Sequence, residues 1–245
     1  MPLLPAPLLS LALLGGCAPA YHPSALHPTL FDGPDQLSVS GQIAVSGLHL
    51  SAAYAPVDHL AFRARSTVRR QPWEDVYWLA GGGLEGFGAR GPLRLALGLE
   101  VAGGRVDASD TYTALFASSA RRYEAHGALL QVAVPATAGW EIRAVQLGIT
   151  GRLVAHTLFN DLQWTGRTRG SLLGLDSAFF FRVGGAVKLD AQIGVSVLDG
   201  VGDVPVDYLP LIAGLGLVVD LERVRRRPRD STLPGEGASD APVDR

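Results

Sequence analysis

Residues 187–197 follow a strict two-residue alternation that a β-strand explains best. The apolar side chains are Val187, Leu189, Ala191, Ile193, Val195 and Val197, and the positions between them include Lys188, Asp190, Gln192 and Ser196. Successive side chains of a strand point to opposite faces, so this segment has one apolar and one polar face. The same pattern recurs along most of the 245-residue chain. It predicts an all-β, antiparallel fold.

Ten strands are predicted from Gln36 onward by this alternation. The cleanest besides the first example is the fifth, where leucines at 93, 95, 97 and 99 oppose Arg94 and Glu100. The predicted ranges are 36–46, 48–55, 59–68, 75–87, 92–103, 121–134, 140–156, 171–183, 187–197 and 209–221.

Short and long links alternate between these strands. Those after strands 2, 4, 6 and 8 are tight, as at Gly184-Gly185, whereas most of the others are longer. Outer-membrane barrels have short periplasmic turns and longer outer loops. We therefore expect residues 36–221 to form an up-and-down antiparallel transmembrane β-barrel of about ten strands. An even strand number places both of its ends on the turn side.

Composition bears on which face looks outward. The chain has 30 glycines and a single lysine, Lys188, so the polar faces consist largely of Gly, Ala, Ser and Gln. About five apolar positions per strand suffice for the roughly 25 Å apolar band of a membrane barrel. A soluble barrel would invert the two faces and leave a weakly solvated exterior. The alternative left open is a lipid-anchored periplasmic binding barrel.

Charge and hydropathy argue against two further classes of protein, nucleic-acid-binding proteins and proteins with transmembrane helices. A formal net charge of −2 without a basic stripe gives no sign of nucleic-acid binding. Outside the N-terminus there is no apolar run of about 18 residues, so no transmembrane helix is predicted.

The N-terminus is predicted to be a targeting segment. Residues 1–16 fit a signal peptide, and Leu14-Gly15-Gly16-Cys17 fits a lipobox that makes Cys17 the lipidated first residue. No Lys or Arg precedes Cys17, which departs from the usual positive start. Residues 17–35 are expected to be a disordered, extended, lipidated tether, since the eighteen residues 18–35 reach up to about 60 Å when fully extended. The expected location is the bacterial outer membrane, with the lipid anchor on the periplasmic side and membrane lipid as the partner.

Several segments resemble a known group. Cys17-x-Pro19-x-Tyr21-x-Pro23, Pro28-x-Leu30-Phe31, Ala52-Ala53-Tyr54-Ala55 and Asp58-His59-Leu60-Ala61 resemble an uncharacterised family of lipidated outer-membrane barrels from Bacteroidota within the porin-like superfamily. The end of strand ten, residues 216–221, partly resembles the barrel-assembly signal but lacks its final aromatic. The resemblance implies a membrane barrel and no particular reaction.

The polar faces carry the main candidate site. If the apolar face is outside, ten charged residues point into the lumen. Paired charges and water would fill a narrow barrel, because barrels of about eight strands are just filled by side chains and open channels need about sixteen. The alternative is a narrow pore for small solutes. The ten residues are Arg63, Arg65, Arg94, Glu100, Arg152, Asp176, Arg182, Lys188, Asp190 and Asp220.

No catalytic constellation is visible, so a non-enzymatic structural or surface-interaction role is predicted. The six histidines show no metal-ligand spacing, and no cofactor or metal is expected. The two longest outer loops, at about 104–119 and 157–170, carry Tyr112, Phe116, Phe159 and Trp164 as candidate contacts for an extracellular partner of unknown identity. Residues 222–245, rich in Arg, Pro and Gly, are predicted to be a disordered basic and polar tail.

Overall fold

The chain forms one closed barrel of ten antiparallel strands, each paired with its neighbours in sequence, and β1 pairs with β10 to close it. The computed structural model describes residues 24–70, 76–112, 121–162, 167–201 and 211–221. Within them, no helix is long and apolar enough to cross a membrane. The strands are β1 (Gln36–Ala44), β2 (Gly47–Val57), β3 (Leu60–Arg70), β4 (Val76–Arg90), β5 (Leu93–Tyr112), β6 (Arg121–Ile142), β7 (Val145–Leu162), β8 (Arg167–Gly184), β9 (Val187–Val201) and β10 (Leu211–Asp220).

The strands are strongly staggered around the barrel. We start at Lys188 in β9 and move to the paired residue of each neighbouring strand in turn, through β10, β1 and on to β8. This path returns to β9 at Gly200, an offset of twelve residues (200 minus 188). A shear of 12 for ten strands goes with a strand tilt of roughly 40°. The interior is therefore only slightly wider than that of an eight-stranded barrel, in which side chains alone fill the space.

The predicted all-β barrel of ten strands is confirmed, and the differences lie at strand ends. β5 continues to Tyr112 and β6 to Ile142, and β7 and β8 cover residues 157–162 and 167–170. Most of the two segments predicted as long outer loops is therefore strand. Polar residues at these ends break the alternation, but the neighbouring strand still supplies hydrogen-bond partners for the backbone.

The two faces of the sheet differ as the alternation predicts. Leu97, Ile193 and Leu215 are more than 60% exposed on the outer surface, among many other large apolar side chains. The alternate positions face the lumen, where polar and charged side chains such as Arg152, Asp176 and Gln192 are buried. Such a distribution is inverted relative to a soluble protein.

Two ends of the barrel can be told apart. At one end, called the turn end here, two-residue turns follow β2, β4, β6 and β8. Three of these turns contain a residue in the left-handed region: His59, Gly91 and Arg143. The opposite end, called the hairpin end, carries the β1–β2 hairpin and the longer β5–β6 and β7–β8 hairpins.

Residues 24–32, called the plug here, run without regular secondary structure from the lumen to the turn end, where Asp32 is exposed. Ser24, Ala25, Leu26, His27 and Phe31 are all buried. The sequence predicts an extended tether over these positions. The structure agrees that the segment has no helix or strand, but it places this part of the segment in the lumen rather than outside the barrel. Residues 17–23 of the predicted tether, which include Cys17, the signal segment and the tail beyond residue 221 lie outside the described residues.

Candidate functional site

The plug enters the lumen at the turn end. The backbone N–H of Asp35 donates to the carbonyl of Ala55 at 2.6 Å, next to the β2–β3 turn. Asp32 lies 3.5 Å from the guanidinium of Arg94, beside the β4–β5 turn. These contacts fix the point at which the chain passes from the plug into β1.

Apolar contacts near the turn end hold Phe31 and Leu30 of the plug. Phe31 packs edge-on against Phe87 with ring centroids 5.6 Å apart, and the alanines at 53, 55, 61 and 96 complete the cluster. Gly139 faces Leu30. A Cβ added to Gly139 would lie 2.9 Å from Phe180 and 3.1 Å from Leu30. The absence of a side chain at 139 therefore makes room for the plug.

Deeper in the lumen the barrel binds the plug through main-chain carbonyls. Arg182 donates to the carbonyl of Pro28 at 2.8 Å, Gln192 donates to that of Leu26, and Arg63 donates to that of His27. A charged donor to a buried carbonyl is among the stronger hydrogen bonds in proteins. Because the acceptors belong to the backbone, this recognition depends on the extended shape of the plug more than on its side chains.

Ser24 is held where two guanidinium groups converge. Arg65 and Arg152 donate to its hydroxyl oxygen at 2.8 and 2.9 Å, and Arg152 also donates to its carbonyl at 3.4 Å. The plug is thus fixed along its described length, from Ser24 in the lumen to Asp32 at the turn end.

The arginines that bind the plug are themselves held by buried carboxylates. On one side of the lumen, Arg63 lies 2.6 Å from Glu85 and 3.3 Å from Glu100, and Arg65 lies 2.9 Å from Glu100. The Thr29 hydroxyl also donates to Glu85. A buried ion pair needs further hydrogen bonds to offset its desolvation, and the plug supplies some of them.

Two more ion pairs lie across the lumen. Arg152 pairs with Asp176, which also accepts a hydrogen bond from Ser196 at 2.6 Å. Arg182 pairs with Asp190 at 3.1 Å, and Gln42 donates to the same carboxylate. Every one of these side chains is almost completely buried.

All ten residues predicted to face the lumen lie on the inner face, and each makes an ion pair. Seven belong to the clusters just described, and Arg94, Lys188 and Asp220 do not. The other two pairs involve rim residues: Lys188 contacts Asp220, and Arg94 reaches Asp32 and, at 3.9 Å, Glu141. Sequence reasoning missed Glu85, because the glycine-rich run of β4 hides its alternation. Sequence reasoning also expected water in the part of the lumen that the plug occupies.

The lumen around the plug has little free volume. A cavity of about 10 Å³ is lined by Ala25, Leu26, His27 and the arginines beside them, and one of about 20 Å³ lies next to Leu30 and Phe31. Each is near the size needed for a single water molecule.

His27 sits at the centre of this arrangement. Its Nδ1 atom is 2.9 Å from the Ser40 hydroxyl, and its ring centroid is 6.3 Å from that of His49. Burial lowers the pKa of His27 well below the ordinary value, and the charges of His49, Arg63, Arg182 and Arg65 lower it further. His27 is therefore neutral at pH 7.

A serine–histidine contact that the sequence did not reveal lies towards the hairpin end. Ser46 Oγ is 2.9 Å from His49 Nε2, and His49 Nδ1 is 3.0 Å from Thr67 Oγ1. In acyl-transfer enzymes the residue orienting the base is usually a carboxylate, which stabilises the imidazolium. Here it is a neutral hydroxyl and Ser46 is buried. These two contacts satisfy both ring nitrogens of a buried histidine, which is a structural role.

The predicted outer-loop aromatics are placed differently. Phe159 lies on the outer surface of β7, paired with Ala128 and Arg169, rather than in a loop. Tyr112 is the last residue of β5, and its side chain is not among the described ones. Phe116 and Trp164 lie outside the described residues. Among the side chains that are described, no group of three or more His, Cys, Asp or Glu could hold a metal ion.

Comparison with known proteins returns no match: no protein family, curated protein or solved structure resembles this chain significantly. The resemblance to lipidated barrels seen in the sequence thus stays a prediction. The site defines only a class, a closed β-barrel whose lumen is filled by charged clusters and by its own N-terminal segment.

Proposed function

We propose that this protein is an outer-membrane β-barrel that carries out no reaction and serves as a closed scaffold for surface interactions at its hairpin end. The observation that carries the proposal is the inverted distribution of side chains. A belt of exposed Leu, Ile, Val and Phe surrounds a lumen of buried ion pairs. Such a belt matches the hydrocarbon layer of a bilayer, whose spanning structures are helices or closed barrels.

Aromatic residues support the same placement. Trp140 on β6 and Phe181 on β8 flank Leu147 of β7, which lies near the turn end. Phe159 lies on the same strand towards the hairpin end, twelve residues from Leu147 (159 minus 147). Twelve tilted strand residues span about 30 Å, close to the apolar band that aromatic girdles flank in membrane barrels.

A scaffold role is favoured over the narrow pore by the plug. The lumen arginines that would line a pore donate to the plug and to buried carboxylates, and the cavities beside them are water-sized. A periplasmic binding barrel is disfavoured because the outer face is apolar and the inner face is occupied.

Two measurements test the proposal. A Cys17→Ser variant exported behind a cleavable signal peptide, which therefore carries no lipid anchor, should remain in the membrane fraction after extraction with sodium carbonate, because an embedded belt resists removal. Release into the soluble fraction would favour the periplasmic alternative. In planar bilayers the purified protein should give no stable channels. Reproducible open channels from the intact chain would favour the pore.

A further inference from the structure

The apolar belt on the outer surface is interrupted by a groove near the turn end, called the outer recess here. It lies on the outside of β4 to β7 and has a volume of about 860 Å³. Leu95, Leu97 and Ile149 form its walls, and each is at least half exposed. Its floor consists of outward-facing residues with little or no side chain, which are Gly86, Gly88, Ala136, Ala138 and Gly151. The volume is within the range of small-molecule sites, about 300–1,000 Å³.

Strand pairing places these small residues in two neighbouring rows across the sheet. Gly86 and Ala136 both pair with Leu97, and Gly88 and Ala138 both lie opposite Leu95. Two residues nearer the hairpin end, the outward positions of the same strands are all large and exposed: Leu84, Leu99, Val134 and Leu153. The outer recess is therefore a gap in the belt, closed by large side chains on its hairpin side.

The fold does not require glycine at two positions of the floor. The φ angles of Gly86 and Gly88 are not positive. A Cβ added to Gly88 would meet nothing within 4 Å, and one added to Gly86 would make only ordinary contacts at 3.7 Å. Glycine inside a strand weakens the strand. The space that these two residues leave open is thus free for a molecule outside the barrel.

Two unpaired arginines lie at the turn-end side of the outer recess. Arg90 is the next outward residue of β4 after Gly86 and Gly88, and Arg143 is in the β6–β7 turn. Both are exposed, and neither makes an ion pair with any residue that the structure describes. Glu141, at the same rim, faces the lumen at 3.9 Å from Arg94. The outer side of this rim is therefore open to an anion.

The two arginines lie at about the same height on the barrel. Arg90 shares a row with Trp140, two strands away. Because the strands are about 4.8 Å apart and tilted by about 40°, this row climbs about 6 Å towards the hairpin end between β4 and β6. Arg143 follows Trp140 by three residues, which brings it back by about 8 Å. Tryptophans in membrane proteins are enriched at the level of the lipid headgroups.

We infer that the outer recess and the two arginines form a site for an anionic phospholipid, with an acyl chain in the recess and the phosphate group at Arg90 and Arg143. The inference rests on the proposed function, which places the belt in a bilayer. A guanidinium suits a phosphate because it can donate two parallel hydrogen bonds to it. A second copy of the chain fits less well, since a two-fold axis along the membrane normal would bring the arginines of both copies to one level, where like charges repel.

Quenching of tryptophan fluorescence by brominated lipids tests the site in vesicles. A variant with Trp73→Phe, Trp78→Phe and Trp164→Phe keeps Trp140 beside the recess. A variant with Trp73→Phe, Trp140→Phe and Trp164→Phe keeps Trp78, which is exposed on β4 towards the hairpin end and is the matched control. The vesicles consist of phosphatidylcholine with a small fraction of either brominated phosphatidylglycerol or brominated phosphatidylcholine.

We expect phosphatidylglycerol to be enriched at Trp140 by a factor of about five for each arginine, which is the effect of one basic residue near an anionic lipid surface. The two brominated lipids should quench Trp78 equally. Equal quenching of Trp140 by the two lipids would overturn the inference. If neither tryptophan is quenched by either lipid, the belt does not contact a bilayer, and the proposed function fails as well.

Substitutions separate the two parts of the site. Arg90→Gln should lower the enrichment at Trp140 about fivefold, and Gly88→Leu should lower it by filling the recess. Gly103→Leu is the control, because Gly103 lies on the outer face of β5 away from the recess and an added Cβ comes no closer than 3.9 Å to a neighbour. Enrichment that Arg90→Gln removes and Gly88→Leu leaves intact would overturn the acyl-chain site. Light scattering in detergent that shows a dimer, converted to a monomer by Gly88→Leu, would assign the recess to a second copy and also overturn the inference.

Discussion

Individual lumen residues bind two partners at once, one in the barrel and one in the plug. Arg182 pairs with Asp190 and donates to the carbonyl of Pro28, and Arg152 pairs with Asp176 and donates to Ser24. Each guanidinium has five donors in a fixed plane, which suits such double contacts better than a lysine ammonium would. Substitution at these positions should therefore affect the barrel and the plug together.

Replacing Arg182 by Met should destabilise the folded protein by about 3–5 kcal/mol, because Asp190 is left as a buried charge without its partner. Replacing Arg94, at the more exposed rim, by Gln should cost at most about 1 kcal/mol. Urea unfolding in detergent micelles measures both. Equal losses for the two variants would contradict the difference in burial.

Acidification should loosen the plug through His27. The folded-state pKa of His27 is lowered, so its neutral form stabilises the folded state above the unfolded pKa of about 6.5. That contribution is lost as the pH falls below 6.5, because the unfolded state then binds more protons. We expect hydrogen-exchange protection of residues 25–30 to fall between pH 7 and 5 relative to His27→Gln, which has no titrating ring. The same pH dependence in both proteins would assign the effect to other groups.

The sequence predicts a strand correctly where apolar and polar residues alternate regularly between its two faces. In β9, Val187 through Val197 alternate without exception, and its predicted start is correct. The ends of β5 and β6 could not be predicted, since the sequence there mixes polar and apolar residues and the pairing depends on a neighbouring strand. The location of the plug was unpredictable for a related reason. Ser24 contacts Arg152 and Leu26 contacts Gln192, pairs separated by 128 and 166 residues, and no local pattern records such contacts.

On the outward face of a strand, a larger apolar side chain should be tolerated better than a charged one. Leu97 is 61% exposed on β5. Replacing it by Arg should reduce the stability of the inserted barrel by about 2–4 kcal/mol if this position lies near the middle of a bilayer. Leu97→Phe, which keeps the face apolar, should insert normally. The fraction of protein that migrates as the folded form on unheated gels measures insertion, and normal insertion of the Arg variant would argue against a lipid-facing position.

At the scale of the whole molecule, we expect closure of the lumen to depend on the plug rather than on the strands. A variant lacking residues 24–32 loses the carbonyl acceptors for Arg63, Arg182 and Gln192. We expect this variant to give measurable single-channel conductance in planar bilayers, where the intact chain should give none. Its circular dichroism should remain that of a β-barrel, which separates an opened lumen from an unfolded protein. A folded but silent variant would show that side chains alone close the barrel.

The seam between β1 and β10 also restricts the order in which the molecule can assemble. The plug leads directly into β1 through Asp35, and β10 pairs with β1 from Ser38 to Ala44. Once these strands have joined, a segment already lying inside is encircled, whereas one left outside can enter only by its free end. Because closure requires β10 to pair with β1, the plug can take up its place in the lumen at any time before that pairing forms. The filled lumen is then a record of the order of assembly: the plug is in place before the first and last strands join.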